Sequence, residues 1–184
     1  MKKLKPWLIM LVLVVVGSFV VCSRGPKLSP DVSASIRTSL DQAGLKAVSV
    51  TQDRDKGVVT LSGNVGAEAD KGHAESIASS IAAGQVVSNQ IAVVPPGNES
   101  AARTVNADLD GGIDKNLDAA LIQGKLHKGI TYDVKSGVVT LTGEVNSQSR
   151  RSQVEQVATA VPNVQQVVNE LQVKDQKASS GLAQ

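Results

Sequence analysis

Aromatic residues are almost missing from this 184-residue chain: Trp7, Phe19 and Tyr132 are the whole set. Any core must therefore be filled by Val, Ile, Leu and Ala, which suits small, closely packed sheets and helices. The same lack removes the stacking platforms that single-stranded nucleic acid needs. Cysteine occurs once, at Cys22, which rules out an internal disulfide and a cysteine metal cluster. The two histidines, His73 and His127, have no ligand-like spacing. There is no Ser/His/Asp arrangement, no pair of carboxylates in an apolar setting and no glycine-lysine phosphate loop. The expectation is a protein that is no enzyme, carries no cofactor or metal and takes no small-molecule substrate.

Basic charge is also scarce once its position is considered. The formal net charge is +2, but Lys2, Lys3, Lys5, Arg24 and Lys27 all precede the first acid, Asp31. Setting those five aside leaves 14 basic against 17 acidic residues, a net of −3. A mildly acidic body is a poor match to nucleic acid, so no nucleic-acid partner is expected.

What the chain does have is one stretch used twice. Gly57-Val58-Val59-Thr60-Leu61-Ser62-Gly63-Asn64-Val65 returns as Gly137-Val138-Val139-Thr140-Leu141-Thr142-Gly143-Glu144-Val145. From residue 53 onward the copies align without a gap at an offset of 80, Asn89 falling on Asn169 and Val93 on Val173. A period this long exceeds the ~20–50 residues of solenoid repeats and points to tandem duplication of a small domain.

Residues 1–22 read as a signal peptide or an N-terminal membrane anchor. Three lysines precede an apolar run, Trp7 to Val21, which at about 15 residues fits an export core and falls short of the ~20 of a comfortable span. Three outcomes stay open: lipidation at Cys22, with Val21 departing from the small residue expected before it; cleavage after Ser23; or retention as a short anchor. Each places the body outside the cytoplasm, and membrane association is expected through residues 7–22.

Residues 23–30 form a polar linker, and the first unit follows over 31–95. Val32, Ile36 and Leu40 mark an amphipathic helix ending at Gly44. Val48 and Val50 open a strand, Asp53 to Gly57 supply a turn, and Val59, Leu61 and Val65 line the next strand. A helix over Glu68 to Ala83 buries Ala74, Ile77, Ala78 and Ile81, and a last strand carries Val87, Ile91 and Val93. Residues 96–109 have the composition of a linker, with an irregular helix as the alternative. The second unit, 110–174, repeats the order, with Ile113, Leu117 and Leu121 on its first helix and Val164, Val167, Leu171 and Val173 toward its end. Residues 175–184 are a polar tail with the composition of disorder. The fold class is α+β: two tandem α-β-β-α-β domains, each a three-stranded mixed sheet with two helices on one face.

The G-V-V-x-L-x-G-x-V stretch, the helix after it and the V-x-N-x-I/L-x-V ending resemble the BON domain, a bacterial envelope module. The resemblance implies a periplasmic or cell-envelope protein, often connected with osmotic stress. It also implies contact with phospholipid head groups in support of membrane integrity. The residues suited to anionic lipid lie in the second unit: Lys125, His127 and Lys128 beside Ile122 and Leu126, with Arg150 and Arg151 at the start of its second helix. The alternative is an adaptor that binds other envelope proteins, tethered by its N-terminus. Gly57, Gly63, Gly137 and Gly143 read as turn or close-approach positions, and Asn89 and Asn169 as local hydrogen-bonders.

Overall fold

A computed structural model describes residues 28–174. The export segment, the lipidation candidate Cys22 and the tail from residue 175 lie outside the described residues. No helix among the described residues is long and apolar enough to cross a membrane.

The first unit opens with helix α1 (Ser33–Gln42). The Asp31 carboxylate accepts from the Ser33 backbone and hydroxyl, and the side chain of Gln52 accepts from the Val32 N–H at 3.1 Å. Strands β1 (Val48–Asp53) and β2 (Val58–Val65) form an antiparallel hairpin. Asp53 closes its turn by accepting from the N–H groups of Asp55 and Lys56 at 3.1 and 3.0 Å. Helix α2 (Glu68–Ile81) then carries the chain back, and β3 (Val86–Val93) joins β2 in parallel, which puts β2 in the middle. The expected stripe is the core: Ile36, Leu40, Val59, Leu61, Ala74, Ala78 and Ile91 are all buried together.

The second unit repeats this with α3 (Glu99–Gln123), β4 (Ile130–Lys135), β5 (Val138–Val145), α4 (Gln148–Thr159), β6 (Gln166–Asn169) and β7 (Gln172–Val173). Its core holds Ile113, Leu117, Leu121, Val139, Leu141, Val154 and Ala158. Two features differ from expectation. The stretch expected as a linker, or at most an irregular helix, is a regular helix from Glu99, continuous with the helix of the second unit. Polar residues with good helix propensity on an exposed face look like a linker in composition, yet they propagate an existing helix at little cost. The final strand is also broken in two, β6 and β7, each parallel to β5. The break falls where Arg151 takes the Asn169 carbonyl and Glu170 reaches Lys56 of the first unit.

Gly63 and Gly143 are close-approach positions. A Cβ on Gly63 would overlap the Ala47 carbonyl oxygen, and one on Gly143 the Gly129 carbonyl oxygen. A side chain there would drive apart the hairpin strands.

Tyr132 packs against the core from β4, beside α3, and is not presented as an interfacial aromatic. Burial raises its phenol above the usual value of 10.0, and the carboxylates of Asp114 and Asp118 push it further the same way. As the only tyrosine, it gives a clean signal. Phenolate absorbance should rise at a midpoint above 10.0, and Asp118→Asn should lower that midpoint. A midpoint unmoved by Asp118→Asn would place the tyrosine away from α3.

Candidate functional site

The cationic end of the second unit is built by the way α3 stops. The Leu126 N–H returns to the Leu121 carbonyl at 2.8 Å, and the Lys125 N–H to that of Ile122 at 3.0 Å. This double closure forces Lys125 into the left-handed region, φ +54°. The first unit ends α1 with the same pair of bonds, but there the left-handed residue is Gly44, φ +82°. Glycine takes that conformation without strain, whereas a residue with a Cβ pays about 1 kcal/mol. The second unit thus holds a lysine where its sister holds the residue that fits.

Around Lys125 the sequence candidates divide. The Arg150 guanidinium donates to the Lys125 backbone carbonyl at 3.1 Å, which ties Arg150 to the loop that carries Lys125. His127 and Lys128 follow in the same loop, both exposed, and Ile122 lies 53% exposed in the last turn of α3. Leu126 is 6% exposed and belongs to the core, anchoring the loop from below. Arg151 turns away: its Nη2 donates to the Asn169 carbonyl at 2.9 Å, part-buried against the end of β6.

Arg151 belongs to a polar clasp present in both units. In the first, Asn89 Nδ2 donates to the Lys71 carbonyl at 3.2 Å and to Glu75 at 3.0 Å, while its Oδ1 accepts from the Ile91 N–H at 3.4 Å. In the second, Asn169 Nδ2 donates to the Arg151 carbonyl at 3.4 Å and to Glu155 at 2.8 Å, and its Oδ1 accepts from the Leu171 N–H at 3.2 Å. The clasp ties the last strand to the helix that precedes it. Sequence reasoning singled out the asparagines but missed Glu75 and Glu155, although the same offset of 80 relates them.

The units meet along the faces of their sheets turned away from the helices. Val58, Val138 and Val168 form a small apolar contact. Polar bonds surround it: Lys56 Nζ to Glu170 at 2.6 Å, Lys71 Nζ to Gln165 Oε1 at 2.9 Å, and the Gln166 carboxamide on the backbone of β3. A cleft of about 290 Å³ opens beside this joint, between β3, α3 and the turn before β5. Asp110 supports its wall by accepting from the N–H groups of Ser136 and Gly137, each at 2.8 Å.

The BON domain pattern matches residues 30–95 and again 109–175. Osmotically-inducible protein Y of Escherichia coli (strain K12) is 27% identical over 146 residues, covering 78% of this chain and 71% of that protein. Two solved structures of CdsD, a structural protein of the type III secretion system of Chlamydia trachomatis, align at 15% identity with TM-scores of 0.33 and 0.32. They cover 78% and 77% of this chain, which spans 66% and 61% of theirs. With both repeats matched over most of its length, the chain belongs to the BON domain family.

Proposed function

We propose that this is a non-catalytic, exported protein of the bacterial envelope whose second BON domain contacts anionic phospholipid head groups in support of membrane integrity under osmotic stress. Lys125, Lys128 and Arg150 supply the charge, His127 lies beside them, and Ile122 supplies an apolar contact. The relative named for osmotic induction supports the setting. One observation carries the lipid reading: Lys125 occupies a left-handed position that the first domain fills with glycine. Strain kept at a surface lysine, next to a second cation and an exposed isoleucine, points to use of that lysine.

The test is co-sedimentation of residues 28–184 with anionic and with zwitterionic vesicles. Binding should be confined to anionic vesicles and fall with salt. Replacing Lys125, Lys128 and Arg150 by alanine should remove about 3 kcal/mol, at ~1 kcal/mol per charge, which is more than hundredfold. Arg151 is left in place because it serves the clasp. Lys125→Gly separates the roles: it should weaken vesicle binding while raising stability by about 1 kcal/mol through relief of the left-handed strain. Equal binding by the wild type and the triple variant would sink the lipid reading.

A further inference from the structure

The outer edge of β3 is closed in an unusual way. β2 engages alternate residues of β3, as in the Val86 N–H bond to the Gly57 carbonyl, so Val87, Asn89, Ile91 and Val93 turn their backbone groups outward. An incoming parallel strand would donate from one residue to the Val87 carbonyl and accept, at the same residue, from the Asn89 N–H. The side chain of Gln166 does both: its Nε2 donates to the Val87 carbonyl at 2.6 Å, and its Oε1 accepts from the Asn89 N–H at 3.0 Å. A single carboxamide stands in for one residue of a strand.

The rest of the edge is held by side chains at long distances. Asn89 Oδ1 accepts from the Ile91 N–H at 3.4 Å, and Asn106 Nδ2 donates to the Val93 carbonyl at 3.4 Å. Such bonds are near the limit of useful geometry and exchange readily for better ones. The cleft of about 290 Å³ runs past Ile91, Ala92 and Val93, with Leu109, Ile113 and Val164 as apolar lining. Lys71 also lines it, only 7% exposed. Its ammonium meets the Gln165 amide at 2.9 Å and forms no ion pair among the described residues. A buried cation held by one neutral amide is incompletely compensated and favours an incoming carboxylate. Glu68 lies on the same cleft and disfavours a second acid.

We propose that the outer edge of β3 is a strand-accepting site for an extended peptide segment carrying one carboxylate, and that Gln166 holds it shut as a built-in substitute for that strand. The peptide adds parallel to β3, lays apolar side chains toward Leu109 and Val164, and places its carboxylate at Lys71. This surface is separate from the cationic end of the second domain and does not depend on lipid binding. The recognition mode is strand addition, with main-chain bonds giving affinity and the cleft giving selectivity.

The test uses the full chain in detergent micelles and a fluorescein-labelled heptapeptide of alternating Val and Thr ending in a C-terminally amidated Glu, so that the side chain is its one carboxylate. The control peptide has an amidated Gln in its place. Gln166→Ala should bind the Glu peptide about tenfold more tightly than the wild type, the worth of a displaced hydrogen-bonded competitor. Gln166→Glu keeps the size of the side chain but cannot donate to Val87, so it should open the edge as well. Bound peptide should slow amide exchange at Asn89 and Ile91. Lys71→Met in the Gln166→Ala background should abolish the preference for Glu over amidated Gln. Unchanged affinity in both Gln166 variants, or no protection at Asn89, would overturn the proposal. Dimerisation of Gln166→Ala without peptide would do so too, since the occupant would then be a second copy.

Discussion

Gly143→Ala should cost the second domain about 3 kcal/mol, the sum of backbone strain and overpacking against a group that cannot yield. The added methyl would meet the Gly129 carbonyl oxygen, which already accepts from the Glu144 N–H at 3.0 Å. Gly143 itself sits at φ +117°, outside the range of residues with a Cβ. Because the methyl is fixed directly to the backbone and the group it meets is a backbone carbonyl, relief requires breaking the β4–β5 hairpin. Gly63→Ala should do the same to the first domain, against Ala47. Gly72 is the control: it lies in α2 with nothing within 4 Å of its would-be Cβ, so Gly72→Ala should stabilise by about 1 kcal/mol. Urea unfolding of the three variants reads all of this. A Gly143→Ala loss below that of an ordinary surface substitution would mean the hairpin strands can separate locally.

The architecture was legible because the repeat supplies its own control. Val32, Ile36 and Leu40 against Ile113, Leu117 and Leu121 fix two equivalent helix faces, and all six side chains are buried. Alternation in Val59, Leu61 and Val65 did the same for the strands. Three things were hidden, each for a physical reason. Helix α3 begins at Glu99 because polar residues continue a helix as readily as they form a loop, and periodicity is faint where only one side packs. The strain at Lys125 was invisible because Gly124, one position earlier, looks like the usual glycine stop. The role of Gln166 depends on how two separately folded units meet, and its counterpart in the first unit is Val86, an exposed residue without a carboxamide. Pattern within one unit carries no information about that.

The asparagine clasp should show that equivalent residues need not have equal weight. Asn89→Ala is expected to lose about 3 kcal/mol and Asn169→Ala about 1 kcal/mol, although each removes the same three bonds. The difference lies in what is left behind. Asn89 is 3% exposed, so its removal takes the second bond from the Lys71 carbonyl and leaves the Glu75 carboxylate and the Ile91 N–H to find partners at a site with little room for water. Asn169 is only half-buried, and water can replace its amide. The first clasp also supports the joint, since the Asn89 N–H is one of the two groups that Gln166 engages. Asn89→Ala and Gln166→Ala should therefore be non-additive in a double-mutant cycle, while Asn169→Ala and Gly72→Ala, which share no partner, should add. Additivity of the Asn89 and Gln166 changes would mean that β3 keeps its place without the clasp and that the two BON domains stay joined independently of it.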